Sequence, residues 1–171
     1  LGGLPDSRDR ALCESLCFHS LRHWRRYEDL LGALLDKPLP PAMRELHALL
    51  LIGLAQLDAL GLAEHAAVAA TVEAVRVKHP RHAGLANAIL RRFLRERTEL
   101  AARSTESPAL RFSHPDWLYQ RLLQDWPDDA ERILAANSTE APLWVRVNRS
   151  RVDQPESLRT AWRAQDVDSE C

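Results

Sequence analysis

An all-α domain followed by the opening of a small α+β unit is the fold class this sequence predicts. Three observations carry that expectation. Apolar residues recur at helical spacing from Ala11 to about Ala136. The punctuation between those runs is the kind that starts and stops helices. Near Pro142 the period changes, and Leu143-Trp144-Val145-Arg146-Val147-Asn148 alternates as a strand does.

Each element has its own reason. Asp6 or Ser7 caps a first helix running through Leu12 and Leu16 to about Leu21. A second runs from about Trp24 to Leu35. Pro38, Pro40 and Pro41 break the chain, and Pro41 suits the first turn of a third helix that continues to Leu60 and stops at Gly61. The fourth, rich in alanine, spans about Glu64 to Lys78 and halts before Pro80. The fifth runs from about Gly84 to Ala102, with Leu85, Ile89, Leu90, Phe93 and Leu94 on a buried face and Arg91, Arg92 and Arg95 largely off it. Ser104 to Pro108 reads as a linker. Ser113-His114-Pro115-Asp116 opens another helix, with His114 capping it and Pro115 in its first turn. Pro127-Asp128-Asp129 opens a short one to about Ala136. A helix over Pro155 to Ala164 follows the strand.

The charge is polarised although the net is −1. From Arg76 to Arg103 eight basic residues face two acidic ones, and from Glu106 to Glu140 the sign reverses. Leu46 to Leu62 is the most apolar window, but His47, Gln56 and Asp58 interrupt it, so it reads as a buried helix and no membrane partner is expected. Leu1 to Pro5 has neither the basic start nor the apolar run of a secretory leader. Three cysteines make no disulfide framework, and a reducing cytoplasm is the simplest compartment.

The concentrated positive charge suggests nucleic acid. The candidate phosphate contacts are Lys78, Arg81, Arg91, Arg92 and Arg95, with Arg22, Arg25 and Arg26 beside Trp24 and Tyr27, and Arg146 and Arg149 along the strand. For the aromatics Trp24 and Tyr27, packing in the core is the favoured reading. Asn87 sits on the apolar side and reads as a buried hydrogen-bonding residue rather than an RNA reader. Cys13, Cys17, His19 and His23 are spaced like metal ligands, but Cys17 and His19 lie about 200° apart around a helix, so no metal site is expected and the cysteines read as small buried hydrophobes.

Asp9 to Leu12, Glu14 to Cys17, His65 to Ala74, Gly84 to Arg92, His114 to Leu118 and Trp144 to Arg149 follow one another in an order and spacing that resembles the front of the bacterial ribosomal-RNA cytosine-5 methyltransferases of the Sun/RsmB family. Asp9 to Leu12 with Glu14 to Cys17 is similar to that family's second helix. His65 to Ala74 is similar to its HAA-x-A-x-TVE segment, and Gly84 to Arg92 to its NAVLR helix. His114 to Leu118 and Trp144 to Arg149 are similar to its HP-x-WL and RVN segments. Two departures are Glu64, where the family often has proline, and the lack of a counterpart to the bundle's first helix ahead of Leu1.

The resemblance implies a NusB-like RNA-binding bundle over residues 1–103, a helical connector over 104–140, and the start of an RRM-like subdomain over 141–171. It implies small-subunit ribosomal RNA as partner, and S-adenosyl-L-methionine as cofactor of a methyltransferase domain outside this sequence. Within these residues there is no glycine-rich cofactor loop and no activated cysteine, so no catalytic or cofactor-binding residue is expected here. The alternatives are a stand-alone NusB-type antitermination factor binding RNA and a ribosomal protein, or a protein-binding helical adaptor.

Overall fold

The computed structural model describes residue 3 and residues 5–58, 62–104, 107–139, 141, 146–148, 150–151 and 155–163. Its elements are α1 (Ser7–Arg22), α2 (Trp24–Leu34), α3 (Arg44–Asp58), α4 (Glu64–Lys78), α5 (Ala83–Ser104), α6 (Pro108–Arg111), α7 (Asp116–Asp125), α8 (Ala130–Asn137) and α9 (Pro155–Arg163). Short 3-10 turns at Pro41–Met43 and Pro80–His82 lead into α3 and α5. The chain divides into two compact units, Leu1–Thr139 and Glu140–Cys171.

Helix starts follow the expected local chemistry where a side chain can reach an amide. Asp6 accepts the Arg8 N–H at 2.7 Å and caps α1. Pro41 begins a 3-10 turn, not the α-helix itself, and α3 starts at Arg44. The expected stop at Leu60 and Gly61 lies outside the described residues. Of the expected linker, Ser104 still belongs to α5, Pro108 already opens α6, and residues 105–106 lie outside the described residues. Pro115 is the N-cap of α7, not a residue of its first turn. His114 caps nothing, because its Nδ1 lies against the Phe112 carbonyl. Residues 127–129 form a turn, and α8 starts only at Ala130.

Helix α3 is the axis of the first unit. It packs against α1, α2, α4 and α5, and Leu46, Leu50, Leu51, Leu54 and Leu57 are at most 5 % exposed. Tyr27, Leu30 and Leu31 of α2, Val75 of α4, and Leu90 and Phe93 of α5 complete the core. Burial of that kind is the main favourable term in folding. A smaller cluster joins Leu122 of α7 to Ala130 and Leu134 of α8.

Three expectations of burial fail. Leu85 is 37 % exposed and Trp24 is 38 % exposed, with its ring 6.2 Å from His47. Ala86, one residue on, takes the core position that Leu85 was expected to fill. Cys17 is exposed, not a buried hydrophobe, and Cys13 is half-buried.

The α3–α4–α5 junction depends on Gly53. A Cβ there would lie 2.7 Å from Thr71 Cγ2 and 3.0 Å from Leu90 Cδ2. Thr71 cannot turn away at no cost, because its hydroxyl donates to the Ala67 carbonyl at 2.8 Å and accepts from Gln56 Nε2 at 3.3 Å. A helix-interior glycine normally destabilises by about 1 kcal/mol against alanine. Here close approach outweighs propensity.

A polar chain ties α1, α2 and α3. His19 Nε2 lies 2.8 Å from the Tyr27 hydroxyl, which donates to Asp58 at 3.4 Å, and Arg26 pairs with the same carboxylate at 3.1 Å. Burial and the Asp58 charge push the Tyr27 phenol well above its usual value. Burial, then the charges of His19, Arg26 and Arg22, push His23 down to about 4.

The α2 N-terminus is capped from far along the chain. His23 offers no side-chain cap, and the Arg26 N–H donates instead to the Ser113 hydroxyl at 3.3 Å. Ser113 reaches it from a left-handed conformation, φ 58°, which is uncommon for a non-glycine residue.

In the second unit, Arg146 and Asn148 are exposed and Val147 is half-buried. That matches the expected alternation, but residues 146–148 form no strand, and 143–145 lie outside the described residues. No strand occurs among the described residues. The Asn148 side chain accepts the Ser150 N–H at 3.0 Å and its carbonyl accepts the Arg151 N–H at 3.0 Å. Asn148 therefore opens a turn, since its side chain mimics a backbone turn acceptor.

Three outcomes test this packing. Gly53→Ala lowers stability by about 1–2 kcal/mol despite better helix propensity, and adding Thr71→Ser, which removes the clashing methyl, recovers most of it in thermal melts. Ser113→Ala loses the distant cap and costs about 1 kcal/mol in urea unfolding. His23 titrates near pH 4 by NMR. The unfolded chain takes up that proton below about pH 6.5 and the folded chain does not until about 4, so the stabilisation is complete above 6.5 and is lost as the pH falls to 4. A His23 midpoint above 6 would contradict its burial.

Candidate nucleic-acid interface

Helices α4 and α5 form an antiparallel hairpin. The end of α4 passes through His79 and the Pro80–His82 turn into α5, while Arg97 of α5 lies 3.4 Å from Glu64 at the start of α4. Pro80 ends α4 because it has no N–H and disfavours helix in the residue before it. Lys78 ends α4 just before this turn, and Arg81 lies within it. Arg91 and Arg95 lie one helical turn apart on α5, so they share a face. All four are exposed, and none of them forms an ion pair among the described residues. From Arg81 to Arg95 the ridge extends about 20 Å at helical rise.

Arg92 does not belong to that ridge. It is half-buried, its Nε donates to both Glu96 oxygens at 3.0–3.1 Å, and its Nη1 donates to the Leu34 carbonyl at 3.1 Å. Leu34 ends α2, so Arg92 satisfies one of the carbonyls a helix terminus leaves without a partner. Arg97 does the same for α3: its guanidinium bonds the Leu57 carbonyl and stands 5.5 Å from the Phe93 ring centroid.

Two of the three candidate arginines at the α1–α2 corner are engaged within the fold. Arg25 lies 3.5 Å from Asp116, and Arg26 is bound to Asp58. Arg22 is half-buried and forms no ion pair among the described residues. Arg146 is exposed in the second unit, and Arg149 lies outside the described residues. Of the ten candidates, Lys78, Arg81, Arg91 and Arg95 are thus the exposed ones on the α4–α5 hairpin without an ion pair among the described residues, and of these Arg91 and Arg95 share a face.

A groove of about 340 Å³ runs between the two helices, lined by Glu64, His65, Val68, Val72, Asn87, Arg91 and Leu94 among others. Asn87 is half-buried in it, and its side-chain oxygen accepts the Arg91 Nε–H at 3.1 Å. The apolar-side reading of Asn87 is right about its hydrogen bond. The partner it bonds is a residue of the ridge. In the sequence the i, i+4 spacing of Asn87 and Arg91 was the available signal. Among the described residues no helix is long and apolar enough to cross a membrane, and no group of three or more metal-ligating side chains occurs.

The NusB family model matches residues 3–95. A second family model, Methyltr_RsmF/B-like, ferredoxin-like domain, matches residues 114–170. The Ribosomal RNA small subunit methyltransferase B of Xanthomonas campestris pv. campestris is 46 % identical over 157 residues, covering 91 % of this chain and 34 % of the relative. The proteins of that name from Vibrio vulnificus and Vibrio cholerae serotype O1 are 40 % and 42 % identical, covering 89 % and 82 % of this chain and 36 % and 33 % of themselves. The chain therefore spans about a third of the length of the curated relatives it matches. With the NusB match extending over more than half its residues, the chain belongs to the NusB family, and it is homologous to proteins named ribosomal RNA small subunit methyltransferase B.

Proposed function

We propose that this chain is the RNA-binding and positioning region of an S-adenosylmethionine-dependent methyltransferase that modifies C5 of a cytosine in small-subunit ribosomal RNA. Residues 1–103 are the RNA-holding bundle, 104–140 a helical connector and 141–171 the opening of an RRM-like α+β subdomain. The chemistry belongs to a catalytic domain on the remainder of the protein. By holding the RNA through its phosphates, the bundle raises the effective concentration of the target cytosine at that domain. The protein works where ribosomal RNA is made, in the cytoplasm.

The observation that carries this reading is the exposed ridge of Lys78, Arg81, Arg91 and Arg95, free of ion-pair partners among the described residues, on a chain whose relatives carry a ribosomal-RNA methyltransferase name. By contrast, the arginines of the acidic segment are paired: Arg121 with Asp125 at 2.8 Å and Arg132 with Asp129 at 2.8 Å. A stand-alone antitermination factor would end near Arg103, and the second family match over residues 114–170 weighs against it. The adaptor reading has one observation in its favour, the exposure of Trp117 and Trp126 at 70 % and 54 %.

Arg91→Glu with Arg95→Glu weakens binding to a small-subunit ribosomal-RNA fragment and lowers the salt slope by roughly 0.7–0.9 per lost phosphate contact. Arg121→Glu with Arg132→Glu does much less, because those side chains already have carboxylate partners. Fluorescence anisotropy over a salt series measures both. Equal losses in the two double variants, or binding indifferent to salt, would favour the adaptor.

A further inference from the structure

We propose that the groove between α4 and α5 is a nucleobase pocket that takes one unstacked guanine from the strand whose phosphates the ridge holds. The proposal rests on the RNA-binding reading above. The groove's volume, about 340 Å³, lies at the small end of the roughly 300–1,000 Å³ typical of ligand sites. Val68 and Val72 of α4 and Leu94 of α5 give it an apolar wall on which the face of a base can lie. Its polar edge is donor-rich. Arg91 is held by its Nε–H bond to the Asn87 oxygen, and its terminal nitrogens have no partner among the described residues. The same bond commits the Asn87 oxygen as acceptor, so the Asn87 amide nitrogen is left as a second donor.

An arginine fork beside an amide donor fits two adjacent acceptors, the O6 and N7 of guanine. Adenine would present its N6 amine where an acceptor is needed. Glu64, which also lines the groove, lies 3.4 Å from the Arg97 guanidinium, so its charge is compensated. An aliphatic side chain would fill the apolar wall but leave these donors unmet, and Arg91, which also belongs to the ridge, favours a ligand that carries a phosphate.

The test uses the whole chain, isotope-labelled, titrated with guanosine 5′-monophosphate, adenosine 5′-monophosphate and ribose 5-phosphate. The guanosine nucleotide shifts the Asn87 side-chain amide and the Val68 and Val72 methyl signals saturably. The adenosine nucleotide binds about tenfold more weakly, and ribose 5-phosphate leaves the methyls unmoved. Ala69→Trp, which fills the groove from an exposed position on α4, abolishes the methyl response and weakens RNA binding while its salt dependence remains. Equal response to the two nucleotides overturns the proposal. So does full RNA affinity in Ala69→Trp, which would give the groove to a protein segment instead. Salt-dependent RNA binding without any methyl shift overturns the pocket and leaves the ridge standing. Absence of salt-dependent RNA binding by the unaltered chain would overturn the ridge reading on which the pocket rests.

Discussion

The first unit depends on how closely α3 can approach its neighbours. Gly53 removes the one side chain that would hold α3 away from Thr71 of α4 and Leu90 of α5. With that contact made, the leucines above and below it on α3 reach almost complete burial. Dispersion and hydrophobic stabilisation fall quickly when helices stand apart, so a single methyl group at position 53 would propagate through the whole layer. The α4–α5 hairpin inherits its position from the same junction, and with it the ridge and the groove.

The arginines divide their work by what their helix turn faces. On α5, Arg92 and Arg97 turn inward and bind the last carbonyls of α2 and α3. Arg91 and Arg95 turn outward. A guanidinium suits both tasks because its planar fork can satisfy carbonyl acceptors inside the fold or phosphate oxygens outside it. The inward pair ties α5 to the ends of α2 and α3, while the outward pair keeps the one-turn spacing that α5 itself sets.

The connection between the bundle and the following helices is also polar. Ser113 caps α2, Arg25 meets Asp116, and Arg111 pairs with Glu131 between α6 and α8. The exposed ion pairs contribute little energy each. The cap matters more, since it satisfies an amide that α2 itself leaves open. Its donor and acceptor are separated by 87 residues, so it links the two parts of the first unit directly.

Helix positions were legible in the sequence because capping, proline and periodicity act within a few residues. The α4 boundaries Glu64 and Lys78 are those the alanine-rich run and Pro80 indicate. The basic character of α5 was legible for the same reason: charge counting needs no coordinates. Which arginines stay available was not legible. Arg91 and Arg92 are adjacent and chemically identical, and only the placement of Leu34, 58 residues away, commits Arg92 to the fold. The exposure of Leu85 and Trp24 was hidden likewise, because periodicity gives a face and not its width, and the neighbours decide how far burial extends. Local chemistry therefore determined the helices and the sign of the surface. Long-range packing decided which charges stay exposed and which are committed to the fold, because burial and distant acceptors exist only once the helices have met.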